Sequence, residues 1–453
     1  MKQQLRTKNQ IIEGVIWKQL LFFFFPILLG TFFQQFYNTI DSVIVGRFVG
    51  KEALASVGGS AGQIVNLVVG FFTGLTAGAG VIISQFYGAR DSKGLNDSIH
   101  TAYAFSLAGS ILFMIAGLSF SPHILELMNT PKELMADSRL YLQIYFAGIL
   151  FTFIYNMGSG ILRALGNSRR PLYYLIICSL LNIILDLIMV RLFHMGVAGV
   201  ALATLLAQAV SAVLVTRALM HATDIYQLKL RNIRFHGRVL KSQLYVGLPG
   251  GFQTTMYSLS NLIIQAAINV YGTDTTASWA AYGKLDAIFW MVSGAFGVSI
   301  TTFVGQNYGA GRYDRIQKSV RICLGMDFVT SVFLSSFLIV FRYPLFAIFT
   351  NDMEVVRIGA DMLNQITPCY VIFIFIEVLS GALRGVSDVV IPMLMTLFGV
   401  CLLRIAWIFF IVPMNPSIHM VIINYPVTWI TTSILFILYY LYKKSHHTAS
   451  SAA

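Results

Sequence analysis

The stretch 26–47, PILLGTFFQQFYNTIDSVIVGR, is apolar enough to cross a membrane, yet it carries Gln34, Gln35, Asn38 and Asp41. An ionisable residue inside a membrane-spanning helix costs at least about 2.5–3.5 kcal/mol on insertion scales, so it faces a water-filled or protein-lined cavity and marks an ion or substrate path. The bland alternative is a structural acid paired to a neighbouring helix. Other segments bring polar groups to a similar depth. At a helical rise of ~1.5 Å per residue, Asp41 lies roughly 9 Å inside Arg47. Counting from Arg191, Asp186 lies roughly 8 Å deep and Asn182 roughly 14 Å. Tyr141 falls roughly 14 Å from Lys132, and Thr204 roughly 12 Å from Gly196. Asn182 and Asp186 are four apart and share a helix face.

Two carboxylates facing each other in a low-dielectric cavity cannot both stay ionised cheaply. Such a pair takes up a proton or holds a cation. Asn182, Thr204 and backbone oxygens would supply the hard oxygen ligands of a sodium ion, whereas a proton needs only the acids. Both readings make Asp41, Asn182, Asp186 and Thr204 an ion-coupling site, provided that Asp41 and Asp186 meet rather than point to different places.

Elements that could position these groups follow from composition. The chain has 453 residues, 57% hydrophobic and 11% charged, against about 25% charged in a soluble protein. This is an all-α polytopic membrane protein. The formal net charge of +12 reads as topology signals and contacts to anionic lipid headgroups, not as nucleic-acid binding. Cys178, Cys323, Cys369 and Cys401 lie in apolar segments without CxxC spacing, so neither a disulfide framework nor a zinc site is indicated. The first apolar run is too long for a signal-peptide core and lacks a small-residue cleavage site, so it is expected to stay as an anchor.

Twelve long apolar segments are expected, near 14–46, 54–87, 95–120, 133–165, 169–192, 196–221, 241–271, 276–308, 314–341, 354–386, 389–412 and 418–442. They divide into a cytoplasmic N-terminus (1–13), an N-lobe (14–221), a basic cytoplasmic linker (222–240), a C-lobe (241–442) and a cytoplasmic tail (443–453). Lys2, Arg6, Lys8, Lys18, Arg90, Lys93, Arg169, Arg170, Arg312, Arg315, Lys443 and Lys444 fall on one side with the linker. The positive-inside rule makes that side cytoplasmic. The tail 445–453 reads as disordered from its composition.

The halves repeat. SQFYGARDSKG at 84–94 matches GQNYGAGRYDR at 305–315, SGILRALGNSRRP at 159–171 matches SGALRGVSDVVIP at 380–392, and Pro26 matches Pro249. Each half has six segments and starts and ends on one side, which implies a pseudo-twofold axis along the membrane normal, a repeat type of secondary transporters. The first and seventh helices are expected to kink at their prolines. Gly70, Gly74, Gly78 and Gly80 form a small-residue packing face. The second half lacks the acid pair: Ile264 stands for Asp41 and Trp407 for Asp186. Its own charges, Lys284, Asp286, Asp327, Glu377 and Arg404, read as internal salt bridges, with Glu377 the acid most suited to a C-lobe role.

Together, the first-helix segment, the SQFYGA/GQNYGA pair and the two SGxLR…P segments resemble the multidrug and toxic compound extrusion (MATE) family, over about residues 12–442. The likeness is nearest to its prokaryotic DinF-like branch. The resemblance implies the twelve-helix MATE fold of the MOP superfamily and a monomer in a prokaryotic inner (plasma) membrane. It implies a secondary antiporter, not an enzyme, that exports amphipathic or cationic compounds while H+ or Na+ enters, with no cofactor beyond that ion. It makes Asp41 the coupling acid, completed by Asn182, Asp186 and Thr204, with Tyr37 and Tyr141 in the hydrogen-bond network. Gln34, Asn38 and Asn156 would face the substrate cavity, and Pro26 would be the point where the first helix bends. The seventh helix carries no acid, unlike other branches; Glu377 stands near the tenth-helix acid of those branches.

Rival readings are weaker on residues. A flippase for lipid-linked substrates needs a strongly basic cavity, and here intramembrane bases are few. A major-facilitator transporter would show GxxxDRxGRR where this chain reads GARDSKG. The GxSxG pattern at Gly58–Gly62 lies in an apolar helix without a His partner, and Gly50-Lys51 lacks the upstream glycine of a P-loop.

Overall fold

The computed structural model describes residues 9–222 and 226–450, without the side chains of 446–450. Lys2, Arg6, Lys8, linker positions 223–225 and tail positions 451–453 lie outside the described residues. The described chain is helical, without a strand. Its long helices are α1 (Ile16–Val49), α2 (Lys51–Gly88), α3 (Ser92–Leu127), α4 (Lys132–Ala147 continued by Ile149–Ala164), α5 (Arg169–Leu192) and α6 (Gly196–Met220). They continue as α7 (Gly237–Asn269), then α8 (Thr273–Gly309), α9 (Tyr313–Val340), α10 (Met353–Gly385), α11 (Val390–Met414) and α12 (Ile418–Ser445). Ten of these are long and apolar enough to cross a membrane; the two pieces of α4 pass together, bent by 51° at Gly148. The twelfth, α7, has the length, at 33 residues, but its polar Gln, Ser, Thr and Asn content keeps it below that apolarity.

The duplication seen in the sequence is written into the backbone. Gly50 (φ 127°) and Gly272 (φ 96°) open α2 and α8. Arg90 (φ 57°) and Gly311 (φ 68°) turn the chain after α2 and α8, and Gly166 (φ 87°) and Ser387 (φ 63°) turn it after α4 and α10. These left-handed positions recur at the spacing of the sequence repeat. A non-glycine residue at φ > 0 is uncommon, so Arg90 and Ser387 keep a geometry that their partners hold as glycine.

Two compact units emerge, and the chain passes between them inside two helices: within α1 at 21/22, just before Pro26, and within α7 at 251/252, just after Pro249. α1 stays helical through Pro26, with no break between Ile16 and Ile44. The unit Phe22–Gly251 holds most of α1, the whole of α2 to α6, and the base of α7. Phe72 stacks on Phe153 at 3.5 Å in its core. The small-residue face works as packing: a Cβ at Gly74 or Gly78 would run into the backbone of Gly250–Gly251 or Gly247. The linker is tied to α3. Lys229 N–H donates to His100 Nε2 at 3.1 Å, and His236 N–H to Thr101 Oγ1 at 3.2 Å.

The other unit holds Met1–Leu21 and Phe252–Ala453, and so the described helices α8 to α12. A short helix, Gln10–Glu13, precedes α1. Arg315, in the repeated GQNYGAGRYDR segment, donates to the carbonyls of Ile11 at 3.0 Å and Gly14 at 2.8 Å. Phe289 and Tyr370 stack at 3.8 Å in this unit's core, beside the fully buried Trp429.

Candidate functional site

The unit Phe22–Gly251 brings Asp41, Asn182, Asp186 and Thr204 together. α1 presents Tyr37 and Asp41 one turn apart. α5 presents Cys178, Asn182 and Asp186 at successive four-residue steps, with all three side chains buried. A helix sets residues four apart on one face, which is why one stripe of α5 serves the site. α6 supplies Thr204.

Asn182 links the three helices. With its amide nitrogen toward α1 it donates to Asp41 Oδ1 at 2.8 Å and Oδ2 at 3.3 Å. That orientation follows from complementarity, since the reverse would aim the amide oxygen at a carboxylate. The other amide atom stands 3.4 Å from Thr204 Oγ1, so the oxygen accepts from the hydroxyl. Asp186 is fully buried, and neither of its oxygens receives a donor. What faces it is the Asp41 carboxyl, within hydrogen-bonding reach. Two carboxylates are both acceptors. Their contact therefore requires a proton or a cation between them. Donor chemistry and the orphaned buried oxygens both fit a single positive charge.

Aromatic hydroxyls ring this pair without bonding to it. Tyr37 is buried within electrostatic reach of Asp41, Cys178, Tyr145 and Tyr155. Tyr141 is within reach of both carboxyls and stacks on Tyr145 at 6.3 Å. Asn156 Nδ2 donates back to the Thr152 carbonyl of its own helix at 2.9 Å. Gln34 and Asn38 are exposed on α1, and the Asn38 carbonyl accepts from Ser42 Oγ at 2.9 Å.

Sequence reading passed over three features. Cys178 lies one turn from Asn182 and beside Asp41. Gln208, one turn after Thr204, has a buried side-chain oxygen without a donor. Heptad-like spacing from the named residues would have found both. The third feature is a pair of π turns, Val45–Val49 and Leu187–Leu192, which begin just after Ile44 and Asp186. Such wide turns are rare and concentrate at functional sites; side-chain patterning carries no signal for them.

The expectation of internal salt bridges in the second half is overturned. Asp286 accepts from Tyr370 Oη at 2.6 Å, Tyr282 Oη at 3.1 Å and Trp290 Nε1 at 2.7 Å. Asp327 faces Ser331 Oγ at 3.4 Å. Arg404 donates to Asn261 Oδ1 at 3.3 Å and lies 4.3 Å from the Tyr425 ring centroid. Lys284 is exposed. Neutral partners, hydroxyl and indole donors for the acids and an amide oxygen and a ring for Arg404, meet these charges without desolvating a second ion, the costly part of a buried pair. Glu377 lies directly over Gly297, where a Cβ would strike its Oε1, and is within electrostatic reach of Arg384.

Comparison with known proteins gives the family and the fold. The family profile named MatE covers residues 26–188 and again 249–410, one copy per half. The chain belongs to the MATE family. Its likeness to known relatives covers most of each chain. It is 32% identical over 399 residues to the probable multidrug resistance protein YpnP of Bacillus subtilis, covering 86% of this chain and 87% of that one. It is 22% identical to the multidrug export protein MepA of Staphylococcus aureus, covering 78% of each chain. Among solved structures, "Crystal structure of MATE in the bent conformation" matches with a TM-score of 0.92 at 21% identity, over 98% of this chain and 99% of that chain. A MOP-superfamily transporter from Pyrococcus furiosus with a binding pocket of reverse polarity matches with a TM-score of 0.90 at 22% identity, over 97% of this chain and 98% of that one. At those identities the structural matches establish the fold; family membership makes this all-helical chain a multi-pass membrane transporter.

Proposed function

We propose that this MATE transporter exports amphipathic, cationic organic compounds in exchange for an ion that enters through Asp41, Asn182, Asp186 and Thr204. One observation carries the reading: the fully buried Asp186 carboxyl has no donor and faces the half-buried carboxyl of Asp41. The resting site thus demands one positive charge, and adding or removing it changes the energy of the α1–α5 contact. Relatives named as multidrug proteins support small-molecule export, and the cationic class follows from the acidic site, which attracts positive charge.

Between the two candidate ions, the geometry favours H+ over Na+. Asn182 turns its NH2, a donor, to Asp41 and its oxygen to Thr204. A sodium ion takes oxygen ligands and would require that amide to turn over. A proton shared by two carboxyls needs no such change. No cofactor beyond the ion enters the cycle.

In the same reading the transporter sits as a monomer in a prokaryotic plasma membrane with both termini cytoplasmic. The Asp41 end of α1 then lies in the outer leaflet. Proton loading at Asp41–Asp186 removes the need for a second positive charge nearby, so an organic cation loses its counter-charge and leaves. Tyr37 and Tyr141 line the site, Gln34, Asn38 and Asn156 face the substrate, and α1 bends at Pro26.

The test uses proteoliposomes given an imposed pH gradient or, separately, a sodium gradient, with a fluorescent organic cation as cargo. Wild type is expected to move the cation under the pH gradient, and Asp41→Asn to lose that movement. Equal transport by both proteins would remove Asp41 from the mechanism. Transport under the sodium gradient alone would replace the proton by sodium. Failure to move any cation under either gradient would shift the reading to a lipid-linked substrate flippase.

A further inference from the structure

The two π turns lie just beyond the acid pair and pack against each other and against α6. Val45 follows Asp41 by four residues and Val190 follows Asp186 by four, so each valine stands about one turn beyond a carboxyl. Ile44, Val45, Ala53, Val190, Val197 and Val200 form one buried apolar cluster, separate from the unit's main core. Tyr141 packs on this cluster and also lies within electrostatic reach of both carboxyls. It is thus the boundary between the charged site and the apolar layer. Beyond the layer, the same end of the unit exposes Arg47, Lys51 and Arg191. The Arg191 guanidinium lies 5.7 Å from the Phe48 ring centroid.

Two barriers therefore stand in series between this end of the unit and the acids. An apolar constriction excludes water and the ions it carries, and a rim of positive charge repels a cation before it arrives. Gly196 and Gly199 let α6 come close enough to complete the layer: Gly196 has φ 55°, and a Cβ at Gly199 would press on Met189. π turns also occur in α11, at Leu397–Leu402 and Trp407–Ile411; those at Val45–Val49 and Leu187–Leu192 come from two helices and pack against each other. A wide turn re-aims the residues after it, and here valines from two helices join one buried cluster on which Tyr141 packs.

We infer that the paired π turns form an apolar seal that closes the direct route from the Gly50–Gly196 end to Asp41 and Asp186, so that protons reach the acids only by way of the substrate-accessible side. Without the seal the acids would pass protons with no substrate moving, and coupling would be lost although every ion-binding residue remained. This inference rests on the proton-coupled reading above, and its readout is independent of substrate.

The experiment measures passive proton entry into proteoliposomes loaded with a pH-sensitive dye, with no substrate present. Val45→Ser and Val190→Ser are compared with wild type and with Val43→Ser, a change at an exposed site. Several-fold faster proton entry is expected for Val45→Ser and Val190→Ser, with Val43→Ser at the wild-type rate. Adding Asp41→Asn to Val45→Ser should return entry to that rate, because the leak runs through the acids. The smaller changes Val45→Ala and Val190→Ala, which keep the layer apolar but thin it, should give a lesser rise and serve where the serine variants do not reconstitute as folded protein. Wild-type rates in all folded variants, an equal rise in Val43→Ser, or a leak that persists with Asp41→Asn would each overturn the seal. Transport of the organic cation by wild type under a pH gradient, read separately in the same vesicles, tests the antiport reading: a leaky Val45→Ser beside a wild type that moves no substrate would keep the seal and remove the antiport.

Discussion

Asp186 and Asp286 are both acids on long helices, one per unit, and their surroundings are opposite. Asp286 accepts three hydrogen bonds, from two tyrosines and an indole, at 2.6–3.1 Å. Asp186 receives none and faces another carboxyl. A carboxylate with three donors is already at rest; taking up a proton would break good bonds. A carboxyl pair that shares one site is poised, because gaining or losing one charge changes its energy most. Asp327 lies between the two cases, with Ser331 at one oxygen and no donor at the other. Burial alone therefore does not single out a coupling acid. An unmet need for positive charge does.

The sharpest way to break this comparison is to neutralise each acid in turn. Asp41→Asn and Asp186→Asn are expected to abolish pH-gradient-driven cation transport in proteoliposomes, whereas Asp286→Asn keeps its dependence on the gradient. Loss of gradient dependence in Asp286→Asn, in protein that elutes as a single folded species, would put a coupling acid in the second unit.

Stability should run the other way. Asp286→Leu strands two buried donors, Tyr282 and Tyr370, at about 1–3 kcal/mol each, and releases the exposed Trp290. Asp186→Leu strands none. Thermal unfolding of the purified protein should therefore show Asp286→Leu several kcal/mol less stable than wild type, with Asp186→Leu much closer to it. Breaking a buried charge arrangement by removing one member is costly mainly through what is left unpaired. Equal losses would mean that Asp186 has structural partners.

How much of this was legible in the sequence differs between the two acids for the same reason. Asp41, Asn182, Asp186 and Thr204 declared themselves because polar groups are rare in apolar helices and helix rise fixes their depth. The twelve-segment duplication was legible too, since its turns sit at Gly50, Gly166, Gly311 and their matched positions. The second half misled. Counting Lys284 and Arg404 against Asp286, Asp327 and Glu377 suggested ion pairs, but charge number does not fix partners. Tyr282, Tyr370 and Trp290 are aromatic residues among many, and nothing in their spacing marks them as donors to one carboxylate. The π turns were illegible altogether: one extra residue per turn leaves an apolar stretch still apolar. The unit boundaries inside α1 and α7 were likewise hidden, because contiguity in sequence suggested that each half folds upon itself.

A smaller effect sharpens the choice of ion. Thr204 holds the Asn182 amide so that its nitrogen faces Asp41. Thr204→Val removes that hold, worth about 1 kcal/mol, or roughly fivefold in an equilibrium constant. Apparent proton affinity in transport assays should shift by about that factor, and Thr204→Ser should restore it. An unshifted pH profile in Thr204→Val would show that the amide is oriented by other contacts.

The finest contrast lies among the tyrosines. Tyr370 donates to Asp286 at 2.6 Å, while Tyr141 bonds to neither Asp41 nor Asp186 although it stands beside both. Tyr370→Phe should cost roughly 1.5–3 kcal/mol, as expected for a bond to a charged group. Asp286 would still keep Tyr282 and Trp290, so the loss stays below that of removing the acid. Tyr141→Phe deletes a hydroxyl without removing a bond to an acid and keeps the ring that packs on the Val45–Val190 layer. Unfolding and coupled transport should therefore stay near wild type. A marked loss of transport in Tyr141→Phe would mean that the hydroxyl handles the proton during the cycle, and the site would then extend from the acids into the aromatic ring around them.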